Sequence, residues 1–155
     1  MIFHANGDGK IKKAIAVLLS LILLLALSGC AESTVVSTPD APEAIGPYSQ
    51  ARVAGGFVYT SGQIGLDPAT GSLREGLEAQ CEQVFKNLSA VLEAAGSDIG
   101  KSVKTTVYIT DMNDFAVVNG IYEQYFTEPY PARSCVEVSE LPKGALVECE
   151  IVAAR

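Results

Sequence analysis

Arg133, Cys135 and Glu148 are the residues whose types and spacing could do chemistry. A guanidinium fork binds a carboxylate through two parallel hydrogen bonds, fixing orientation as well as position; an ammonium supplies charge without that geometry. Arg133 falls on a predicted strand from about Arg133 to Val138, so Cys135, two residues on, shares its face. Glu148 falls on the next predicted strand, about Ala145 to Ala153, within reach across a turn around Pro142 and Gly144. A carboxylate there could orient or deprotonate a water, or take part in proton transfer. On the residues alone, the pair reads first as a cross-strand salt bridge, an ordinary feature of sheets. Cys135 has no evident activating partner. The one histidine, His4, falls in a segment read below as a removable leader, so a Cys–His or Ser–His pair is excluded and Cys135 reads as lining.

The elements that must position these groups follow from periodicity. Thr34 to Thr38 is a short β-branched run, and Pro39, Pro42, Gly46 and Pro47 make the next stretch an irregular loop. Ser49 to Ala54 and Phe57 to Ser61 are extended runs joined by Gly55-Gly56, a two-residue hairpin signal because glycine reaches the positive φ that a primed turn demands. Asp67 to Gly71 is a second turn. Leu77, Cys81, Val84, Phe85, Leu88, Val91, Leu92 and Ala95 keep helical spacing, with Gly96 as the stop. Val103, Thr105, Val107 and Ile109 alternate with Lys104, Thr106, Tyr108 and Thr110, a strand. Asp111 to Asp114 offers caps for a second helix with an apolar face of Phe115, Val118, Ile121, Tyr122, Tyr125 and Phe126, ended by Pro129 and Pro131. The order is β-β-β-α-β-α-β-β, an α+β single domain with a mixed sheet and both helices on one face. The other face should hold apolar residues that no helix covers, which small domains bury against copies of themselves. Cys81 and Cys149 should be buried hydrophobes, Cys149 pointing opposite to Glu148.

The first 30 residues read differently. Lys10, Lys12 and Lys13 precede 14 residues, Ala14 to Leu27, in which Ser20 alone is polar. A span needs about 20 apolar residues, so this run suits a signal-peptide core. Leu27-Ser28-Gly29-Cys30 resembles the bacterial lipobox, which implies cleavage after residue 29 and lipidation of Cys30. The expected division is a leader over 1–29, a tether over 30–33 and a domain over 34–155, with the protein exported and anchored to a membrane. The alternative is a cytoplasmic protein whose signal is unused. The net charge of −7 becomes −9 once the leader's three lysines and Asp8 are removed, leaving 8 basic and 17 acidic residues. Such a surface repels phosphate backbones, so nucleic acid is not an expected partner. Cys81, Cys135 and Cys149 are odd in number and lack metal-ligand spacing, so neither a disulfide framework nor a metal site is expected.

Five segments together resemble the Rid family of YjgF-type reactive-intermediate deaminases: Gly46-Pro-Tyr-Ser-Gln50, Thr60-Ser-Gly-Gln-Ile-Gly65, Lys104 to Phe115, Pro131 to Val138 and Leu141 to Glu150. They occur in the family's order from about Thr34 onward. The resemblance implies a chorismate-mutase-like fold assembled as a homotrimer with clefts at the subunit interfaces. It also implies hydrolysis of 2-imino acids such as 2-iminopropanoate and 2-iminobutanoate to 2-keto acids and ammonia, without cofactor or metal. It implies that Arg133 holds the substrate carboxylate and Glu148 serves the hydrolytic water. Tyr48, Ser61, Gly62, Asn119 and Cys135 then fall at substrate-binding cleft positions. Cys149 departs from the family's usual apolar β-branched residue, with an effect expected on packing. The export signal is the larger departure, since the family is mostly intracellular. The competing reading is a non-catalytic trimer that binds small carboxylates or acts as a holdase-like surface protein; a ribonuclease reading is opposed by the acidity.

Overall fold

Gly55 and Gly56 take φ of 58° and 81°, the left-handed conformations of a tight hairpin, and so join β2 (Ala51–Ala54) to β3 (Phe57–Thr60) in register. β1 (Thr34–Val36) adds to the other edge of β2, and a short strand not expected from the sequence, β4 (Gln63–Ile64), follows β3. Then come α1 (Leu77–Ala94), β5 (Ser102–Ile109), α2 (Phe115–Tyr125), β6 (Ala132–Glu137) and β7 (Val147–Ala154). The computed structural model describes residues 12, 13, 15 and 33–155, and Ser33–Arg155 forms one unit, described by itself here. Cys30 and nearly all of the expected leader lie outside the described residues. Among the described residues no helix is long and apolar enough to cross a membrane.

The strands form one mixed sheet in the order β1-β2-β3-β7-β5-β6, with β4 also pairing β7. Only β5 and β6 run parallel; the rest is antiparallel. This corrects the expectation that β6 and β7 face each other across a hairpin. β5 lies between them, because α2 carries the chain over to a parallel β6 on the outer side of β5.

Both helices cover one face. Val53, Val58, Thr105, Val107, Ile109, Val147, Cys149, Ile151 and Ala153 point at Val84, Phe85, Leu88, Val91 and Leu92 of α1 and at Val118, Ile121 and Tyr122 of α2. Burying each large aliphatic side chain is worth about 1.5–3 kcal/mol against exposure. Cys81 and Cys149 are fully buried there, as expected. Gly96, at φ 77°, ends α1, with Ser97 N–H donating to Leu92 O at 2.9 Å.

Three expectations need correction. Val103 is 44% exposed, because a register shift between Ser102 and Lys104 takes it out of the alternation. Phe115 is 38% exposed at the start of α2, where its ring faces the Arg133 guanidinium instead of the core. The uncovered face is mixed and not apolar: its rows hold Tyr59, Val152 and Val136, but also Arg52, Lys104, Thr106, Tyr108, Ser134, Glu148 and Glu150.

Candidate functional site

Arg133 is held by the helix-covered side of the sheet. Its register partner on β5 is Thr105, which is buried under α2. Its Nη2 donates to Asn119 Oδ1 at 2.7 Å, and its guanidinium carbon lies 4.7 Å from the Tyr122 ring centre and 5.5 Å from that of Phe115. Tyr122 is itself fixed, its hydroxyl 2.9 Å from Thr105 Oγ1 and its ring stacked on Phe126. Cation–π contact and the Asn119 bond therefore lock the fork's plane. The remaining N–H groups border a cavity of about 270 Å³ lined by Asn119, Tyr122, Glu123, Tyr130, Pro131 and Arg133. Its size is near the lower end for small-molecule pockets. Cys135 shares the face, as the spacing predicted, but packs half-buried against the core. Burial pushes its thiol pKa up, only partly offset by the positive charge of Arg133 and the Val136 backbone N–H.

Glu148 belongs to the opposite face. It sits between the buried residues Val147 and Cys149 and pairs in register with Tyr108 of β5 and Ile64 of β4. Its carboxyl lies over Gly62: a Cβ there would be 2.7 Å from the carboxyl carbon, so any side chain at this position would push the carboxyl aside. Gly62 is thus the clearance that lets the carboxyl lie against the link between β3 and β4. Among the described residues Glu148 has no cation beside it. Burial, with Glu150 adding like charge, raises its pKa above the ordinary glutamate value. Tyr108 shares the patch, its phenol pKa raised by burial and by the charges of Glu150 and Glu148.

Of the other expected residues, Ser61 precedes Gly62 in the chain, and Tyr48 lies beside Ile64, the register partner of Glu148. Ser61 Oγ donates to Ser49 O at 2.7 Å and Ser61 N–H to Gln50 O at 2.9 Å, tying the β3–β4 link to the loop before β2. Tyr48 is 47% exposed; its hydroxyl accepts from Ile45 N–H at 3.3 Å, and its ring borders an apolar groove with Ile45, Ile64, Leu66 and Pro142. One chain therefore brings together Arg133 and Asn119, with Cys135 on the same face, and separately Glu148 and Gly62, with Ser61 next in the chain and Tyr48 on the neighbouring apolar groove. The two groups are not joined, and the cross-strand salt bridge does not form.

Several positioning residues escape a reading of the sequence. Tyr122 counts as core by spacing yet braces Arg133. Gln80 and Asn87 are polar residues buried on the apolar face of α1. Asn87 Nδ2 donates to Ile64 O and Leu66 O at 3.2 and 2.9 Å, and Gln80 Oε1 accepts from Leu146 N–H at 2.9 Å. These bonds fix β4 and the entry to β7, and so the place of Glu148. Gly65 allows the close approach, since a Cβ there would lie 2.6 Å from Gln80 Cα. Polar residues at helical core positions are the signal that could have found them. Among the described residues no cluster of three His, Cys, Asp or Glu side chains could hold a metal ion.

Residues 38–155 match the family model described as Endoribonuclease L-PSP. A protein of Salmonella typhimurium named 2-iminobutanoate/2-iminopropanoate deaminase is 51% identical over 126 residues, covering 79% of this chain and 98% of that protein. The RutC family protein y4sK of Sinorhizobium fredii is 53% identical over 118 residues, covering 76% of this chain and 94% of its own length. The crystal structure of RidA from the Antarctic bacterium Psychrobacter sp. superposes with a TM-score of 0.77 at 49% identity, covering 79% of this chain and 99% of that one.

Proposed function

The chain belongs to the Endoribonuclease L-PSP family of Rid/YjgF proteins, and from that premise we propose that it is a deaminase. It hydrolyses 2-imino acids and their 2-amino-enoic tautomers, such as 2-iminopropanoate and 2-iminobutanoate, to 2-keto acids and ammonia. Arg133 binds the substrate carboxylate through N–H groups that Asn119 leaves free. Glu148 takes a proton from water as the oxygen bonds to the imine carbon, and the nitrogen gains a proton. Collapse of the tetrahedral adduct breaks the C–N bond, forms the keto group and releases ammonia with the second proton. A carboxylate whose pKa is raised is the better base for this step near neutral pH.

The observation that carries this reading is the division of the two charged groups between the two faces of one sheet. A structural salt bridge would bring Arg133 and Glu148 together; here the sheet lies between them. The reading therefore includes a homotrimer. The mixed face of one copy carries Glu148, Gly62, Ser61 and Tyr48 to the β6 edge of the next, where Arg133 opens its cavity. The family description names an endoribonuclease, but residues 30–155 carry a net charge of −9, which opposes an RNA backbone. We place the activity outside the cytoplasm, behind the leader over 1–29. The test is a coupled assay in which an amino-acid oxidase or a dehydratase generates either imine. Purified protein should shorten the imine's lifetime in proportion to its concentration; an unchanged lifetime contradicts the reading.

A further inference from the structure

Asn119, Tyr122 and Glu123 lie three and four residues apart on α2, so they share the strip of the helix that meets Arg133. The first two are engaged by Arg133: Asn119 accepts its Nη2 hydrogen bond, and the Tyr122 ring lies beside its guanidinium. Glu123 lines the same cavity and is exposed, and among the described residues it has no hydrogen bond or ion pair. The described lining of the cavity therefore holds one cation and one carboxylate that do not neutralise each other. We infer that Glu123 selects the substrate's side chain, so that the site takes monocarboxylic 2-imino acids and turns away dicarboxylic ones. This rests on the deaminase reading above and deepens it.

Once Arg133 holds the 2-carboxylate, the rest of the wall decides what can hang from the imine carbon. Tyr122, Tyr130 and Pro131 offer ring surface to an apolar side chain. A cavity of about 270 Å³ has room for about nine non-hydrogen atoms at the volume a liquid water takes, more than the six of 2-iminopropanoate. Side chains longer than a methyl group therefore fit. A second carboxylate on such a chain would meet Glu123 with no cation to answer it, because Arg133 is already taken by the first. The groups that the neighbouring copy carries to the site, Glu148, Gly62, Ser61 and Tyr48, include no cation either. An ionised carboxylate can only accept hydrogen bonds, so Glu123 offers nothing to a second carboxylate, whereas an amide N–H group donates to it. The selection thus comes from a penalty on the wrong ligand as much as from affinity for the right one. Glu123 is exposed, so salt should screen its repulsion.

The test compares two imines of nearly equal shape that differ by one charge: 2-iminoglutarate and its 5-amide. An amino-acid oxidase generates them from glutamate and from glutamine, with catalase present to remove peroxide. The purified full chain should hydrolyse the amide with a kcat/KM about tenfold or more above that of the dicarboxylate. Glu123→Gln should bring that ratio to within about threefold of unity, and high salt should lower the wild-type ratio toward the same value. A wild-type ratio near unity, or one that Glu123→Gln leaves unchanged, overturns the inference. Calorimetric binding of two stable keto acids separates the inference from the deaminase reading. In Glu123→Gln the Kd of 2-oxoglutarate should fall about tenfold, while that of 2-oxohexanoate stays within about threefold of its wild-type value. That pattern without imine hydrolysis counts against the deaminase alone. Hydrolysis of both imines with equal efficiency counts against the role of Glu123 alone, and a chain that neither binds nor hydrolyses overturns both.

Discussion

The Arg133 half of the candidate site and the Glu148 half are built in opposite ways. Arg133 projects from an edge strand into a helix-covered layer, where Asn119, Tyr122 and Phe115 hold its plane. Glu148 lies on the uncovered face, over a glycine, beside a second carboxylate and near a loop tied down by buried amides. The first half is braced within one chain; the second is a partly desolvated carboxyl with no cation beside it among the described residues. Such an arrangement costs stability, and it makes sense where the missing counterpart comes from elsewhere.

The comparison can be broken from its weaker side first. Glu148→Gln keeps shape but removes the base, and kcat should fall about 10²–10⁴-fold with little change in KM. Because the folded-state pKa of Glu148 lies above its unfolded value, its contribution to stability is favourable at low pH and is lost as pH rises through the folded value. At neutral pH the carboxylate therefore opposes folding, and the same variant should melt at a higher temperature than the parent. Activity in the parent should fall with acid earlier than for an ordinary glutamate, since the base protonates at a higher pH. A variant that is both active and less stable would contradict this account of Glu148.

Arg133→Ala removes charge-assisted bonds worth about 1.5–3 kcal/mol each, and kcat/KM should fall about 10²-fold or more. Arg133→Lys should recover only part of that loss, because an ammonium cannot reproduce the braced fork. Gly62→Ala tests the clearance: its Cβ displaces the carboxyl, so kcat should drop about tenfold or more while the circular dichroism spectrum is kept. Cys135→Ser should change kcat by no more than about threefold and give no covalent adduct by mass spectrometry, since burial raises its thiol pKa more than the nearby Arg133 charge and Val136 N–H lower it.

Much of this was legible in the sequence. The spacing from Leu77 to Ala95, the Gly55-Gly56 turn and the alternation in β5 are local signals, and the structure follows them. Strand partners are not local. Nothing between Arg133 and Glu148 in the chain says that β5 lies between them, and a turn at Pro142–Gly144 suits a hairpin as well as a crossing. The relation of the two charged residues was therefore misread, although each lies on its expected strand. Gln80 and Asn87 were passed over because periodicity counts apolar residues, whereas these amides are buried in order to satisfy the carbonyls of an irregular segment. The mixed face was hidden for a related reason: alternation predicts which residues point away from the helices, not whether they are apolar.

The central claim, that the site is completed between copies, is tested most directly by mixing two inactive variants. Arg133→Ala and Glu148→Gln subunits would be unfolded together, refolded in equal amounts and assayed for imine hydrolysis. If each site takes Arg133 from one copy and Glu148 from its neighbour, random assembly restores both groups at about one site in four, and about a quarter of the parent activity should return. If each site draws both residues from one chain, the mixture stays as inactive as either variant alone, and the account is wrong.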